Sequence, residues 1–176
     1  MEIVMKITTL EDLLVDELKD LYSAESQLVK ALPKIAKGVV SEDLRSVFEE
    51  HLRQTHKHVE RLELICQKLD ISPKGKKCLG MEGLLAEGTE ILNSKGESEP
   101  LEAGVIGAVQ RVEHYEIAAY GTARAHARQL GFVEAADLLS QTLNEEKEAN
   151  NKLTHIAENV INVQAAMNNT NEVMTV

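Results

Sequence analysis

The segment RVEHYEIAAY, residues 111–120, sets Glu113 and Glu116 inside an otherwise apolar run. Ile106, Val109, Ile117 and Tyr120 stand at helical offsets from Glu113, and Val109, Val112, Ala119 and Ala123 do the same for Glu116. At about 100° per residue these offsets share one helix face, so both carboxylates point where the apolar side chains point. Carboxylates enter such a face only when something compensates their charge. Acids paired in this way are the raw material of a metal site.

The same test finds acids on two other helical stripes. Glu25 is flanked by Leu18, Leu21, Leu28, Val29 and Leu32, and Glu146 by Leu139, Leu143, Ala149 and Leu153; Glu145 lies nearer the edge of its stripe. On a fourth stripe, HLRQTHKH places His51 behind Leu44, Val47 and Phe48, with Gln54 and His58 continuing that face. The spacing repeats, with 91 residues between Glu25 and Glu116 and 92 between Gln54 and Glu146, as if one helical hairpin occurred twice. Four carboxylates at one height repel and lose hydration, at several kcal/mol per ion unless cations or shared protons compensate. Two divalent ions would neutralise Glu25, Glu113, Glu116 and Glu146. Carboxylates with an imidazole from His51 suit iron or manganese better than copper. The alternative pairs Glu113 with Arg111 or Arg124, or leaves it at a wet margin, and puts Glu116 in an interface. His56, His114, His126 and His155 read as exposed, and Tyr22 and Tyr120 as packing residues or as donors beside the acids.

The elements that would position these groups are helical. Thr8 or Thr9 caps a first helix that runs through Leu14, Leu18, Leu21, Leu28 and Leu32 to about Gly38, with a kink expected at Pro33. Ser41 caps a second helix reaching about Leu69, where DISPKGKK breaks the pattern. A short helix over about 80–94 and the loop NSKGESEP precede a third long helix over about 100–129, opened by Pro100 and stopped before Gly131. A fourth covers about 132–162. The expected architecture is all-α: two helical hairpins joined by a long crossover carrying one short extra helix, as one domain over 1–163. The Asn-rich end, 164–176, lacks periodicity and reads as a frayed or disordered tail.

Composition narrows the function. A formal net charge of −10 argues against nucleic acid as a partner. No run approaches the roughly 18–20 apolar residues of a membrane span, and the opening MEIVMKITTL does not read as a signal peptide; Met5 offers a second candidate start. Cys66 and Cys78 fit no zinc spacing and read as reduced thiols of a cytoplasmic protein. No nucleophile–base arrangement, phosphate-cradling loop or HExxH motif supports a hydrolase or nucleotide enzyme.

LYSAESQLVKALPKIAK, FEEHLRQTHKHVERLE, MEGLLAEG, RVEHYEIAAYGT and LNEEKEANNKLT, in this order, resemble the YciE/YciF-like bacterial stress proteins of the ferritin-like superfamily. The resemblance covers about residues 8–160, and VEHYEIAAYGT is its most specific part. It implies a ferritin-like four-helix bundle, a homodimer, and a two-metal site of two iron ions, with manganese or zinc as the other candidates. The family's acids fall on Glu25, Glu113, Glu116 and Glu146, joined by His51 and position 54. Where the family reads HLEET this chain has HLRQT, so an expected acid is Gln54, and His58 one turn on is the substitute. Ala149, three residues after Glu146, stands where better-known ferritin-like enzymes complete ExxH. Two functions compete: a di-metal oxidoreductase or peroxide scavenger acting in stress response, and a non-enzymatic helical protein acting through its surface with a degenerate site. Storage of iron in a closed cage is a third and weaker reading.

Overall fold

The computed structural model describes residues 7–173, with side chains through Met167; residues 1–6, with the second candidate start at Met5, and 174–176 lie outside the described residues. The first helix, α1 (Leu10–Gly38), begins where the Thr9 hydroxyl accepts from the Asp12 N–H at 3.0 Å and Asp12 Oδ2 accepts from the Thr9 N–H at 2.9 Å. This reciprocal box satisfies two donors that a helix start leaves unpaired. α1 continues through Pro33 and buries Leu14, Leu18, Leu21, Leu28 and Leu32 on one stripe. Each such leucine contributes about 1.5–3 kcal/mol relative to exposure.

A tight turn leads to α2 (Glu42–Lys68), capped by Ser41. The turn is held from a distance of 60 residues and more in sequence: buried Glu102 accepts from the Val40 N–H at 2.5 Å and the Ser41 N–H at 2.7 Å. α2 closes with Ile71 N–H donating to Cys66 O at 3.0 Å and Asp70 N–H to Gln67 O at 3.2 Å. That paired C-terminal motif needs a left-handed residue, supplied here by Asp70 at φ 54°. After α3 (Leu79–Leu92), α4 (Ser98–Gln129) ends in the same motif, with Gly131 at φ 79° in the left-handed place. α5 (Val133–Ile156) follows at once.

The core clusters fix the directions of the helices. At one end Leu14, Leu18 and Leu21 of α1 meet Leu62 and Ile65 of α2, Ala123 and Ala127 of α4, and Leu139 and Leu143 of α5. At the other, Ala36 meets Leu44 and Phe48, Ile106 and Val109, and Leu153. Neighbouring long helices are therefore antiparallel around the ring α1, α2, α5, α4. α2 finishes at the end where α4 also finishes, so the chain must return along the bundle before α4 starts. The crossover 69–97 makes that return, and its α3 packs against α1 and α4 through Cys78 and Met81. This is the all-α bundle with one long crossover expected from the pattern, the arrangement of ferritin-like folds.

Pro100 stands inside the first turn of α4 rather than at its first position, because helix geometry already starts at Ser98. The fourth long helix does not stop at 162. A π-helical turn, Ala157–Ile161, interrupts it, and α6 (Asn162–Val173) carries the helix through most of the segment expected to be frayed. Its side chains at 162–164, 166 and 167 are exposed, and α6 lies against α4. Among the described residues, no helix is long and apolar enough to cross a membrane.

Glu102→Ala removes the acceptor of two backbone donors and lowers the unfolding free energy by about 1–3 kcal/mol in denaturant titration, whereas Glu102→Gln, which keeps an acceptor oxygen, loses less. Hydrogen bonds from Thr8 and Thr9 hold Asp12 at about 2, below its ordinary 3.8. A depressed carboxyl stabilises the fold above the unfolded value and loses that contribution as pH falls through the folded one. Amide exchange at Thr9 and Asp12 therefore accelerates between pH 4 and about 2 relative to amides in mid-helix.

Candidate metal centre

Between the two apolar layers lies a polar slab contributed by all four long helices. Glu25 from α1, His58 from α2, Glu113 and Glu116 from α4, and Glu146 from α5 have no more than trace exposure, and His51 from α2 is 3% exposed. Each occupies its apolar stripe at the height where that stripe crosses the bundle's middle, so Glu25 follows Leu21 and precedes Leu28. The alternative partners proposed for Glu113 are not used. It faces His51 instead, and Arg111 is exposed.

Two groups of side chains have ligand atoms mutually within 4.8 Å: His51, Glu113, Glu116 and Glu146 form one, and Glu25, His58 and Glu146 the other. Glu146 belongs to both. Its Oε1 lies 2.8 Å from His58 Nδ1, and its Oε2 lies 3.9 Å from His51 Nε2. One carboxylate therefore turns an oxygen toward each group, with the two imidazole centroids 6.5 Å apart. His51 Nε2 is 3.2 Å from Glu113 Oε1, and His58 Nδ1 is 3.3 Å from Glu25 Oε1.

These approaches are close but poorly aimed at one another. Glu25 Oε2, both nitrogens of His51, His58 Nδ1, and both oxygens of Glu113, Glu116 and Glu146 are buried without a directed hydrogen bond. Native interiors seldom leave such atoms unpaired, and an ion in their midst is a standard reason for the exception. The donor set, carboxylate oxygens with two imidazoles, is that of iron, manganese or zinc, and two divalent ions would balance four carboxylates. The residues fit such a pair.

The electrostatics without cations show how much compensation is needed. Burial and the neighbouring acids push Glu113 and Glu116 well above the usual carboxylate range. Burial also raises Glu25, although His58 pulls against it. For Glu146 the upward push of burial is overcome by His58 and His51, and its carboxyl falls below the ordinary value. Burial alone would depress His58, but Glu25, Glu145 and Glu146 around it raise it to about 12.

Side chains outside the two groups hold them in place. His58 Nε2 pairs with Glu145 Oε2 at 2.8 Å, and Arg61 grips the same carboxylate through both of its terminal nitrogens, at 2.5 and 2.9 Å. A histidine whose far nitrogen donates to a carboxylate presents the other nitrogen in a fixed direction, here Nδ1 toward Glu25 and Glu146. The Tyr120 hydroxyl donates to Glu25 Oε1 at 2.5 Å from the opposite side.

Position by position, Glu25, His51, Glu113, Glu116 and Glu146 come together, while Gln54 is only half-buried. The buried register of α2 runs through His51, Thr55 and His58, which puts Gln54 on the flank and His58 in the interior. His126, expected on an exposed face, is half-buried beside Glu17. Tyr22 bonds Glu63 rather than the cluster. The roles of Glu145 and Arg61 were not anticipated, although Arg61 stands one turn beyond His58 and could have been read as its support. Both cysteines are buried and free.

A four-helix bundle with carboxylates and imidazoles converging on its axis defines the class. The chain belongs to the family described as a domain of unknown function (DUF892), whose model matches residues 9–166. It is 43% identical over 162 residues to protein YciF of Escherichia coli (strain K12), spanning 92% of this chain and 98% of YciF. The crystal structure of the E. coli stress protein YciF matches with a TM-score of 0.86 at 43% identity, over 89% of this chain and 99% of that one. YcfI, a proposed structural protein from Rhodopseudomonas palustris, matches with a TM-score of 0.82 at 40% identity, over 88% and 97%. A Xanthomonas campestris protein at 18% identity shares the fold, with a TM-score of 0.73 over 92% of this chain and 99% of that one.

Glu145→Ala leaves His58 without its anchor. If the two groups hold divalent ions, the variant's affinity for them, titrated with iron(II) against a chromophoric chelator under anaerobic conditions, falls about 10–100-fold while helical content is unchanged.

Proposed function

We propose that the protein is a di-iron carboxylate protein of the stress-response type, a homodimer in the cytoplasm, whose centre oxidises iron(II) at the expense of dioxygen or hydrogen peroxide. The observation that carries this reading is Glu146, placed with one oxygen toward each of two ligand groups, among carboxylate oxygens of which all but Glu25 Oε1 are buried without a directed hydrogen bond. Two iron(II) ions would supply the two electrons that, with two protons, turn one hydrogen peroxide into two waters. The chain's own contribution is to hold the ligands apart from water and in fixed directions. Leu21, Tyr120 and Leu143 close the slab on one side, and Leu28, Val109 and Val112 on the other. Glu145 and Arg61 orient His58, and Tyr120 orients Glu25. The similarity to a protein named for stress and the net charge of −10 support the assignment and speak against a nucleic-acid partner.

A second reading has a specific observation in its favour. The upward push on His58, Glu113 and Glu116 supports neutralisation of the cluster by protons instead of metal ions. A protein so compensated would act through its surface, in line with the structural role proposed for YcfI.

Anaerobic iron(II) titration followed by addition of peroxide separates the two. The di-iron reading requires two ions per chain and peroxide consumption that falls at least tenfold in Glu146→Ala and in Glu116→Gln. A chain that binds no iron(II), together with a Glu116→Gln variant more stable than wild type, establishes the second reading.

A further inference from the structure

Behind Leu28, Val109 and Val112, on their side away from the carboxylates, α3 and the facing sides of α1 and α4 border a half-open cavity of about 570 Å³. α3 seals the bundle at its N-terminal end, where Met81 is fully buried, but further along Leu84 and Leu85 remain only half-buried. Leu28, Ile35, Val109 and Val112 form the opposite wall. Space survives because small residues stand at the crossing: a Cβ on Gly88 would meet only the Ala108 methyl, at 3.5 Å. Protein interiors carry few voids wider than a water molecule, whereas ligand sites run to about 300–1,000 Å³ with mostly apolar walls and a few placed polar groups.

The polar groups of the lining are Gln27, Thr89 and Asn93 and two cations, with no acid among them. Lys30 and Lys34, one turn apart on α1, line the rim and are exposed. Lys30 and Lys34 have no carboxylate partner among the described residues, a condition they share with Lys19, Lys57 and Lys147; what sets them apart is their place on the cavity rim. The sequence between Glu25 and Glu42 holds Lys30, Lys34 and Lys37 and no acid, in a chain with 29 acids. Lys37, in the last turn of α1, suits the negative end of the helix dipole, but that effect fades within one turn and does not account for the other two. Like charges at this spacing repel, and an anion between them would relieve the repulsion. The acids of α3, Glu82, Glu87 and Glu90, are exposed and outside the lining.

We infer that the cavity between α1, α3 and α4 binds a free single-chain aliphatic carboxylate, its chain against Leu28, Leu84, Leu85 and Val109 and its head group between Lys30 and Lys34. One bounded cavity beneath one short helix accepts one chain, which favours a free amphiphile over a phospholipid in a bilayer. The site does not involve the ligands of the metal centre.

Calorimetric titration of the full chain with dodecanoate below its micellar concentration tests this. The expected result is one dodecanoate per chain, with affinity falling about fourfold for each methylene removed. The Lys30→Gln/Lys34→Gln double variant binds about tenfold more weakly. Gly88→Leu, which fills the cavity without removing a wall, abolishes binding, and dodecyltrimethylammonium binds at least tenfold more weakly than dodecanoate despite the acidic chain. Because the two lysines are exposed, their variant decides the matter even if Gly88→Leu fails to fold. The inference is overturned if the lysine variant binds dodecanoate as wild type does, or if the cationic amphiphile binds equally well. It is also overturned if phosphatidylglycerol vesicles bind the wild type and the lysine variant alike while dodecanoate does not bind. Light scattering that shows Gly88→Leu to dissociate a dimer would assign the face to a second copy and likewise overturn it.

Discussion

Four carboxylates in the middle of a helical bundle are the constraint on which the rest of this structure depends. Each buried and uncompensated ion costs several kcal/mol, while the stability of a whole domain is about 5–15 kcal/mol. Glu25, Glu113, Glu116 and Glu146 therefore cannot all be ionised at essentially zero exposure without compensating charge. The apolar layers on either side carry the fold, through leucines each worth about 1.5–3 kcal/mol. The same layers deny the acids water, which turns their charge into affinity for cations. Protons and divalent ions are the two available compensations. They compete for the same oxygens, so occupancy by metal is coupled to release of protons.

The two ligand groups are not equivalent. His51 stands with three carboxylates, whereas His58 shares Glu146 with Glu25 alone. The poorer group receives the stronger outside support: Arg61 and Glu145 behind His58, and Tyr120 behind Glu25. An acid at position 54 would have lain on the flank of α2, where Gln54 is half-buried; His58 lies on the inward line and reaches both Glu25 and Glu146. Gln54 thus leaves the margin of the site uncharged, and the interior of this group is furnished by the His58 imidazole.

Much of this was legible in the sequence because burial on a long helix is periodic. The stripes of α1 and α4 place Glu25, Glu113 and Glu116 inward with no tertiary information, and Thr9 and Ser41 announce the helix starts. The crossover was legible because two tight turns leave one long connection. What periodicity cannot supply is choice among positions at the margin of a stripe. Gln54 and His58 lie only about 40° apart around α2, and packing against α5 decides which of them is inside. Partners from other helices, such as Glu145 for His58 or Glu102 for the turn at Val40, depend on contacts between distant segments and leave no local signal. The π turn at Ala157–Ile161 is invisible for the opposite reason: Leu153, Ala157 and Ile161 keep a four-residue spacing that an α-helix pattern also permits.

The segment RVEHYEIAAY does more than present acids to the axis. Tyr115, between Glu113 and Glu116 in sequence, points away from the cluster, and its hydroxyl donates to Asp20 Oδ2 at 2.6 Å and lies 2.9 Å from Cys78 Sγ. Cys78 is the cap of α3, its sulfur accepting from the Met81 N–H at 3.3 Å. A Cβ on Gly80 would come within 2.7 Å of the Tyr115 ring, so the covering helix can approach this closely only because that position has no side chain. One turn of α4 thus aims carboxylates inward and, on its other side, fastens the crossover over α1 and α4. Metal-site geometry and the seating of α3 are set by the same residues. A change that rotates this turn must disturb both, and that ties the crossover to the centre more firmly than its own sparse burial would.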